Sequence, residues 1–279
     1  MRSFSRALAL LALSLAACEV ASPAPRPVAK TAAPAPALTS SGSVVAAATS
    51  DPVESSTDAE ETPRSPYAYA NIDPTDDFVV GPPDVRPTCE DDLAAAGIAF
   101  KPAQLPVYVP KKSKITCGAP QVVMYRGSPE KIAYSPAVML TCTMALALAR
   151  FETILQDEAV RTFGKRIVKI HHLGTYSCRE MAAYPGWVSE HSYANAIDLE
   201  SFVLADGRTI DVAKDFNPKV DVATTAKGAF LRAVSKRAYE EEVFSSVLTP
   251  FFDAHHANHF HVDLARFRSD GTQFGVPAP

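Results

Sequence analysis

Residues 253–263 read DAHHANHFHVD and carry four of the chain's seven histidines. A fifth stands in VSEHSYANAIDL, residues 188–199, where His191 precedes Asp198 by seven positions. On a strand, successive side chains alternate between faces, so His259 and His261, two apart, share one face. His191 and Asp198 are too far apart for one helical turn, so a loop has to bring His191 back to Asp198 where the chain enters its next strand. Two imidazoles and one carboxylate leave a fourth tetrahedral position for water. That is the donor arrangement of a catalytic rather than a structural zinc. The two stretches thus mark one strand over 196–204 and a last strand over 259–264.

Outward from these strands the pattern becomes that of an α+β domain. Ala205, Asp206 and Gly207 separate 196–204 from 208–212, which predicts a hairpin with an Asp-Gly turn. Residues 166–172 alternate Ile167, Val168 and Ile170 as a strand, and 121–125 is a further short strand. Helical periodicity runs over 140–163, with Gly164 as its stop, and again over 224–247. A short helix at 90–96 opens on acidic residues and ends at Gly97. Long helices beside a small, mostly antiparallel sheet define the class.

Composition sets the wider frame. The chain has 279 residues, 27 Lys+Arg against 31 Asp+Glu, and 47% hydrophobic residues, enough for a real core. A net charge of −4 gives no basic footprint, which argues against a nucleic-acid partner. Arg2 and Arg6 followed by the apolar run 7–16 form an export leader too short to span a bilayer. The leader ends in Leu15, Ala16, Ala17 and Cys18, which resembles a bacterial lipobox. Residues 1–17 are then removed, and Cys18 carries the lipid that holds the protein to a membrane. Glu19, rather than an aspartate, suits the outer membrane, facing the periplasm. Twelve of the 23 prolines lie in 19–87, with Ala, Ser, Thr and acidic residues, so 18–87 is expected to be a disordered tether and 88–279 the folded domain. Cys89, Cys117, Cys142 and Cys178 remain, an even number that reads as two disulfides in an oxidising compartment. Three pairings are open. The expectation taken forward is neighbour pairing, Cys89 with Cys117 and Cys142 with Cys178.

The spacing SEHxxxxAxD followed by HxH resembles the zinc signature of the lysostaphin, D-Ala-D-Ala carboxypeptidase and sonic hedgehog group. The wider pattern is similar to the bacterial extensin-like C-terminal domain family: CGAP at 117–120, TYSCR at 175–179, SEH at 189–191, FVLADGR at 202–208 and HFHVDL at 259–264. The resemblance covers about 89–264 and implies a hedgehog/D-Ala-D-Ala peptidase-like domain. It implies zinc on His191, Asp198 and His261, with His259 as the active-site histidine that is not a ligand. Two departures matter. Ala194 stands where group members carry glycine. Asn258 stands where carboxypeptidase members carry a glutamate, and an amide cannot act as a general base. His256, three residues before His259, completes HxxHxH, similar to endopeptidase members.

These readings give catalytic candidates His259, Arg179 and His256, with Arg179 on a strand edge before the zinc loop and able to hold a substrate carboxylate bidentately. The expected function is a zinc peptidase of the cell envelope acting on peptidoglycan stem peptides, an endopeptidase before a carboxypeptidase. The alternative is a non-catalytic zinc-stabilised domain that binds cell wall or protein. Asp263 stands between a role orienting a zinc histidine and that of a plain strand-end residue. Ser189 and Glu190 are expected to hold the loop by hydrogen bonds. Tyr184 and Trp187 are open between cleft lining and packing. His255, His171 and His172 are expected to have no role.

Overall fold

A computed structural model of the chain describes residues 81–181, 184 and 186–276. The expected leader, Cys18 and the tether up to residue 80 lie outside the described residues. The fold is α+β, as the pattern predicts, but its strands divide into two sheets. In chain order the elements are α1 (Cys89–Ala95), β1 (Ala99–Tyr108), β2 (Cys117–Gly127), β3 (Ala133–Ser135), β4 (Val138–Thr141), α2 (Cys142–Phe163), β5 (Ile167–His172), β6 (Ala196–Leu204), β7 (Thr209–Asp211), α3 (Val212–Asp215), α4 (Ala226–Glu240), β8 (Ser246–Leu248), β9 (Phe260–Asp263) and β10 (Ser269–Gly271). The smaller sheet is ordered β1-β2-β4, and the larger is ordered β10-β8-β9-β6-β5-β3 with β7 paired to β6. The larger is mostly antiparallel; β10–β8 and β3–β5 are its parallel pairs.

The long central helix α2 forms because its apolar side chains recur on one face, and Met144, Leu148, Phe151 and Leu155 are buried. Thr141 caps it by accepting the Met144 N–H at 3.2 Å, a contribution of about 0.5–2 kcal/mol. Gly164 ends it in the left-handed conformation, φ 64°, which costs glycine no Cβ clash. Helix α4 packs its own apolar stripe, Phe230, Leu231 and Val234, into the same core. Phe230 meets Phe202 of β6 at 6.1 Å and Phe163 of α2 at 5.4 Å between ring centroids. The predicted hairpin is present, with Gly207 at φ 86° in its turn.

Several boundaries differ from expectation; the last strand, expected over 259–264, is Phe260–Asp263, so His259 precedes it rather than standing on it. The helix predicted over 224–247 stops at Glu240, and Ser246–Leu248 is instead the strand β8, buried at all three residues. An apolar period persists through such a junction because a buried strand and a buried helix face both demand apolar residues. Strand β1, an edge strand carrying Pro102 and Pro106, has no counterpart in the sequence reading.

The disulfides also differ. Cys89 pairs with Cys142 at a Cα–Cα distance of 6.0 Å, and Cys117 with Cys178 at 5.6 Å, so the neighbour pairing is wrong. The first bond ties the start of α1 to the start of α2, and the second ties the start of β2 to the segment before the SEH turn. Residues 81–87, assigned to the tether on composition, make contacts with the folded part. The Gly81 N–H donates to the Tyr193 hydroxyl at 2.9 Å, and Arg266 donates to the Pro82 carbonyl at 3.2 Å.

Candidate metal centre

Strands β6 and β9 are antiparallel neighbours in register, with Asp198 directly opposite His261. Side chains directly opposite on paired strands project to the same face, so this pairing alone brings the carboxylate to the imidazole. His191 arrives from the 3-10 turn Glu190–Tyr193, which immediately precedes β6. The turn folds back because Ala194 takes the left-handed conformation, φ 54° and ψ 32°, at the position where the resembling group carries glycine. Such a backbone is strained for alanine, by about 1–2 kcal/mol. Hydrogen bonds hold it: the Ala194 carbonyl accepts the Thr141 N–H at 2.8 Å, and Thr141 Oγ1 donates to Asn195 Oδ1 at 2.8 Å. Asn195 Nδ2 in turn donates to Glu190 Oε2 at 2.7 Å and to the Leu264 carbonyl at 3.0 Å. The cap of α2, the turn and the end of β9 are thereby one hydrogen-bonded unit.

The three donor atoms converge. His191 Nε2 lies 3.1 Å from Asp198 Oδ1 and 3.1 Å from His261 Nδ1, and His261 Nδ1 lies 3.0 Å from the same Asp198 oxygen. A tetrahedral zinc with bonds of 2.0–2.1 Å requires ligand atoms about 3.3 Å apart, so the donor set and its spacing fit such an ion with small adjustment. His261 Nε2, the other ring nitrogen, meets Asp263 Oδ2 at 2.9 Å, and Asp263 is buried. That partner fixes the ring with Nδ1 turned to the site, the device by which a ligating imidazole is oriented. Asp263 is therefore not a plain strand-end aspartate.

The electrostatics follow from this crowding. Burial alone would raise the Asp198 carboxyl, but hydrogen bonds from His191 and His261, and their charges, outweigh it and hold the group well below the usual carboxylate range. Burial likewise opposes charge on His261, yet its bonds to Asp198 and Asp263 push it up to about 10. Glu190 is pushed up to about 8, first by burial and then by the charge of Asp263. Its side chain holds the turn through Asn195, as expected, whereas Ser189 does so through its backbone, its N–H donating to the Arg179 carbonyl and its own carbonyl accepting the Ser192 N–H.

Asp198 and His261 form part of the wall of a cavity of about 310 Å³, with His256, His259 and Arg179 on the same lining. His259 Nε2 is 3.4 Å from Asp198 Oδ1, and its Nδ1 is 2.9 Å from Asn258 Oδ1. A donating Nδ1–H suits that amide oxygen, and Nε2 is the ring nitrogen turned to the site. Burial lowers the pKa of His259, and more strongly that of His256, to about 4. Arg179 is exposed on the cavity rim. It does not stand on a strand edge, contrary to expectation: it lies in an irregular segment just before the isolated bridge Glu180–Val188. The Arg179 backbone is held there by Ser192, whose hydroxyl accepts the Arg179 N–H at 3.0 Å and donates to the Arg179 carbonyl at 2.9 Å, beside the Ser189 N–H.

Among the remaining candidates, Tyr184 lines the cavity, while Trp187 is buried against Phe267 at 5.9 Å between rings. His255 is exposed at the rim. His172 is buried at the end of β5 and its Nε2 donates to the Pro136 carbonyl at 2.9 Å, a structural contact. Sequence reasoning missed Asp253, Asn195 and Thr141. Asn195 and Thr141 are joined only by the tertiary fold, but Asp253 is near its partners in sequence and carried a readable signal, an acidic residue just before a histidine pair.

A family described as extensin-like protein C-terminus matches the chain over residues 87–273 of 279. Comparison with curated proteins and with solved structures gave no significant match.

Proposed function

For a chain that belongs to the extensin-like protein C-terminus family, we propose the function of a zinc-dependent peptidase of the cell envelope that hydrolyses peptide bonds of peptidoglycan. The observation that carries the proposal is the convergence of His191 Nε2, Asp198 Oδ1 and His261 Nδ1 to within 3.1 Å of one another beside a cavity that three further imidazoles, His255, His256 and His259, and a guanidinium also line. A set of three protein donors leaves a position open, and the chemistry supplied by a bound zinc is polarisation of a carbonyl and acidification of water towards a pKa of about 7.

The chain's own residues supply the rest. Asp198 and Asp263 keep His261 oriented. His259, with its Nδ1–H on Asn258, turns Nε2 to the site, where it accepts a proton from water or donates one to a developing oxyanion once protonated. Arg179 at the rim holds a carboxylate of the stem peptide; among the described residues no side-chain carboxylate of the protein pairs with its guanidinium, whose one hydrogen bond is a long contact, 3.5 Å, to the Glu180 carbonyl. Asn258 in place of a glutamate favours an endopeptidase over a carboxypeptidase. On this reading the lipid on Cys18 and the tether bring the cavity from the outer membrane to the wall polymer.

The test is metal analysis of the purified protein lacking its leader, followed by mass analysis of digested muropeptides. One zinc per chain, lost in His191→Ala, and conversion of cross-linked muropeptides to monomers are expected. A protein without zinc, or one that keeps it in His191→Ala, refutes the site. Zinc with muropeptides untouched refutes the peptidase and leaves a wall- or protein-binding domain.

A further inference from the structure

We infer that Asp253 is a positioning residue that locks His256 with its proton on Nδ1 and leaves a bare Nε2 at the cavity wall, as an acceptor for an N–H of a bound peptide. The lock is a matter of local geometry; what the acceptor meets rests on the peptidase reading above.

The 3-10 turn Ala254–His256 hangs from Asp253, whose Oδ1 accepts the backbone N–H groups of His255 at 2.8 Å and His256 at 3.1 Å. The same oxygen lies 2.6 Å from His256 Nδ1. An oxygen already accepting two backbone N–H groups has no room for a proton of its own, so the ring nitrogen is the donor. A neutral imidazole has one N–H, which leaves Nε2 bare. The ring cannot easily turn over, because it packs against Phe252 at 5.6 Å and His259 at 5.3 Å between centroids.

His256 lines the cavity, and among the described residues its Nε2 has no partner within the protein and is not sealed from solvent. The histidine is not one of the three convergent donors. The cavity is thus polar in a defined sense, with a cation at Arg179 on its rim and a hydrogen-bond acceptor at His256. A peptide offers both complements, a carboxylate and an amide N–H. The two imidazoles are then distinct in what they meet, since His259 faces the carboxylate of Asp198 while His256 faces the occupant.

The experiment uses the zinc-loaded protein without its leader, its histidines labelled with ¹⁵N, in two variants. Asp253→Asn keeps an oxygen that reaches both the backbone and the ring. Asp253→Ser keeps the cap but is too short to reach Nδ1. Long-range ¹H–¹⁵N correlation at neutral pH should show His256 with Nδ1–H in the parent and in Asp253→Asn, and a loss of that preference in Asp253→Ser, with one zinc per chain in all three. Hydrolysis of cross-linked muropeptide should fall at least about tenfold in kcat/KM in Asp253→Ser and stay within about threefold in Asp253→Asn. Adding His256→Ala to Asp253→Ser should cost little more, because the two act as a unit. A parent protein with His256 protonated on Nε2, or a tautomer unchanged in Asp253→Ser, overturns the lock. An Asp253→Ser variant with altered tautomer and full activity overturns the acceptor role. Intact muropeptides with the parent protein overturn the peptidase reading and the acceptor's assignment with it, while the tautomer measurement still decides the lock.

Discussion

Removal of either disulfide should cost the same stability but affect the metal centre differently. The bonded cysteines are 53 residues apart in Cys89–Cys142 and 61 apart in Cys117–Cys178. Loop-closure entropy for either length is about 14 cal/mol/K, or about 4 kcal/mol at 25 °C, and the two lengths differ by only about 0.1 kcal/mol. Replacing each pair by alanines should therefore lower the midpoint of thermal unfolding by a similar amount, about 8–16 °C for a domain of this size. The site separates them. Cys178 lies in the segment whose Ser177 N–H donates to the His191 carbonyl at 3.0 Å and whose Arg179 backbone is clasped by Ser192. Freed from Cys117, that segment no longer steadies the turn carrying His191, and zinc affinity should fall about tenfold. Cys142 follows Thr141, whose bonds to Ala194 and Asn195 also brace the turn, but Thr141 is held independently as the end of β4 and the cap of α2, so loss of the Cys89–Cys142 bond should leave affinity within about twofold. Urea unfolding in the presence of a chelator, paired with competition against a chromophoric zinc indicator, measures both quantities. Equal loss of affinity in the two pairs, or a stability difference between them above about 1 kcal/mol, would refute the reasoning.

Three further outcomes follow from the geometry. Zinc binding to the metal-free protein at pH 7 should release a proton, because His261 is held up to about 10 and a ligand must be deprotonated; affinity should then rise about tenfold per pH unit between 7 and 9, and titration calorimetry in buffers of different ionisation enthalpy counts the proton. His256 is neutral in the fold, its pKa pushed down to about 4 by burial, while the unfolded chain titrates near 6.5; stability from this group is full above about 6.5 and is lost as pH falls towards 4, by up to about 3 kcal/mol, a slope that His256→Gln should flatten in urea unfolding. A chain starting at Thr88 should be less stable than one starting at residue 79 by about 2 kcal/mol, since it lacks the Gly81–Tyr193 and Pro82–Arg266 bonds and the pair between the Arg86 backbone and Gln121; identical thermal midpoints would show that 81–87 contribute nothing.

The parts of this site that sequence reveals are those whose geometry has a short period. His259 and His261 both reach the cavity, as the two-residue period predicts, although β9 begins at Phe260 and only His261 stands on it, and the Asp-Gly turn announces the hairpin that carries Asp198. The disulfide pairing has no such signal, since it depends on which element starts meet after the whole chain has folded: Cys89 and Cys142 are joined because α1 packs on α2, not because of any spacing. Strand β1 escaped for a chemical reason. Pro102 and Pro106 remove two backbone donors, which a pattern reading takes as evidence against a strand, whereas the strand lies at a sheet edge where proline is tolerated. Asp253 belongs to neither class. Its partners, the N–H groups of His255 and His256 and the His256 ring, lie within three residues, and a short acceptor two and three positions before those donors is the ordinary signature of a helix cap. It escaped because the turn it caps is only three residues long and shows no period of its own. One carboxylate oxygen thus both caps the turn and holds the ring of a cavity-lining histidine, so the two roles are separated by a variant that keeps the cap and loses the ring contact.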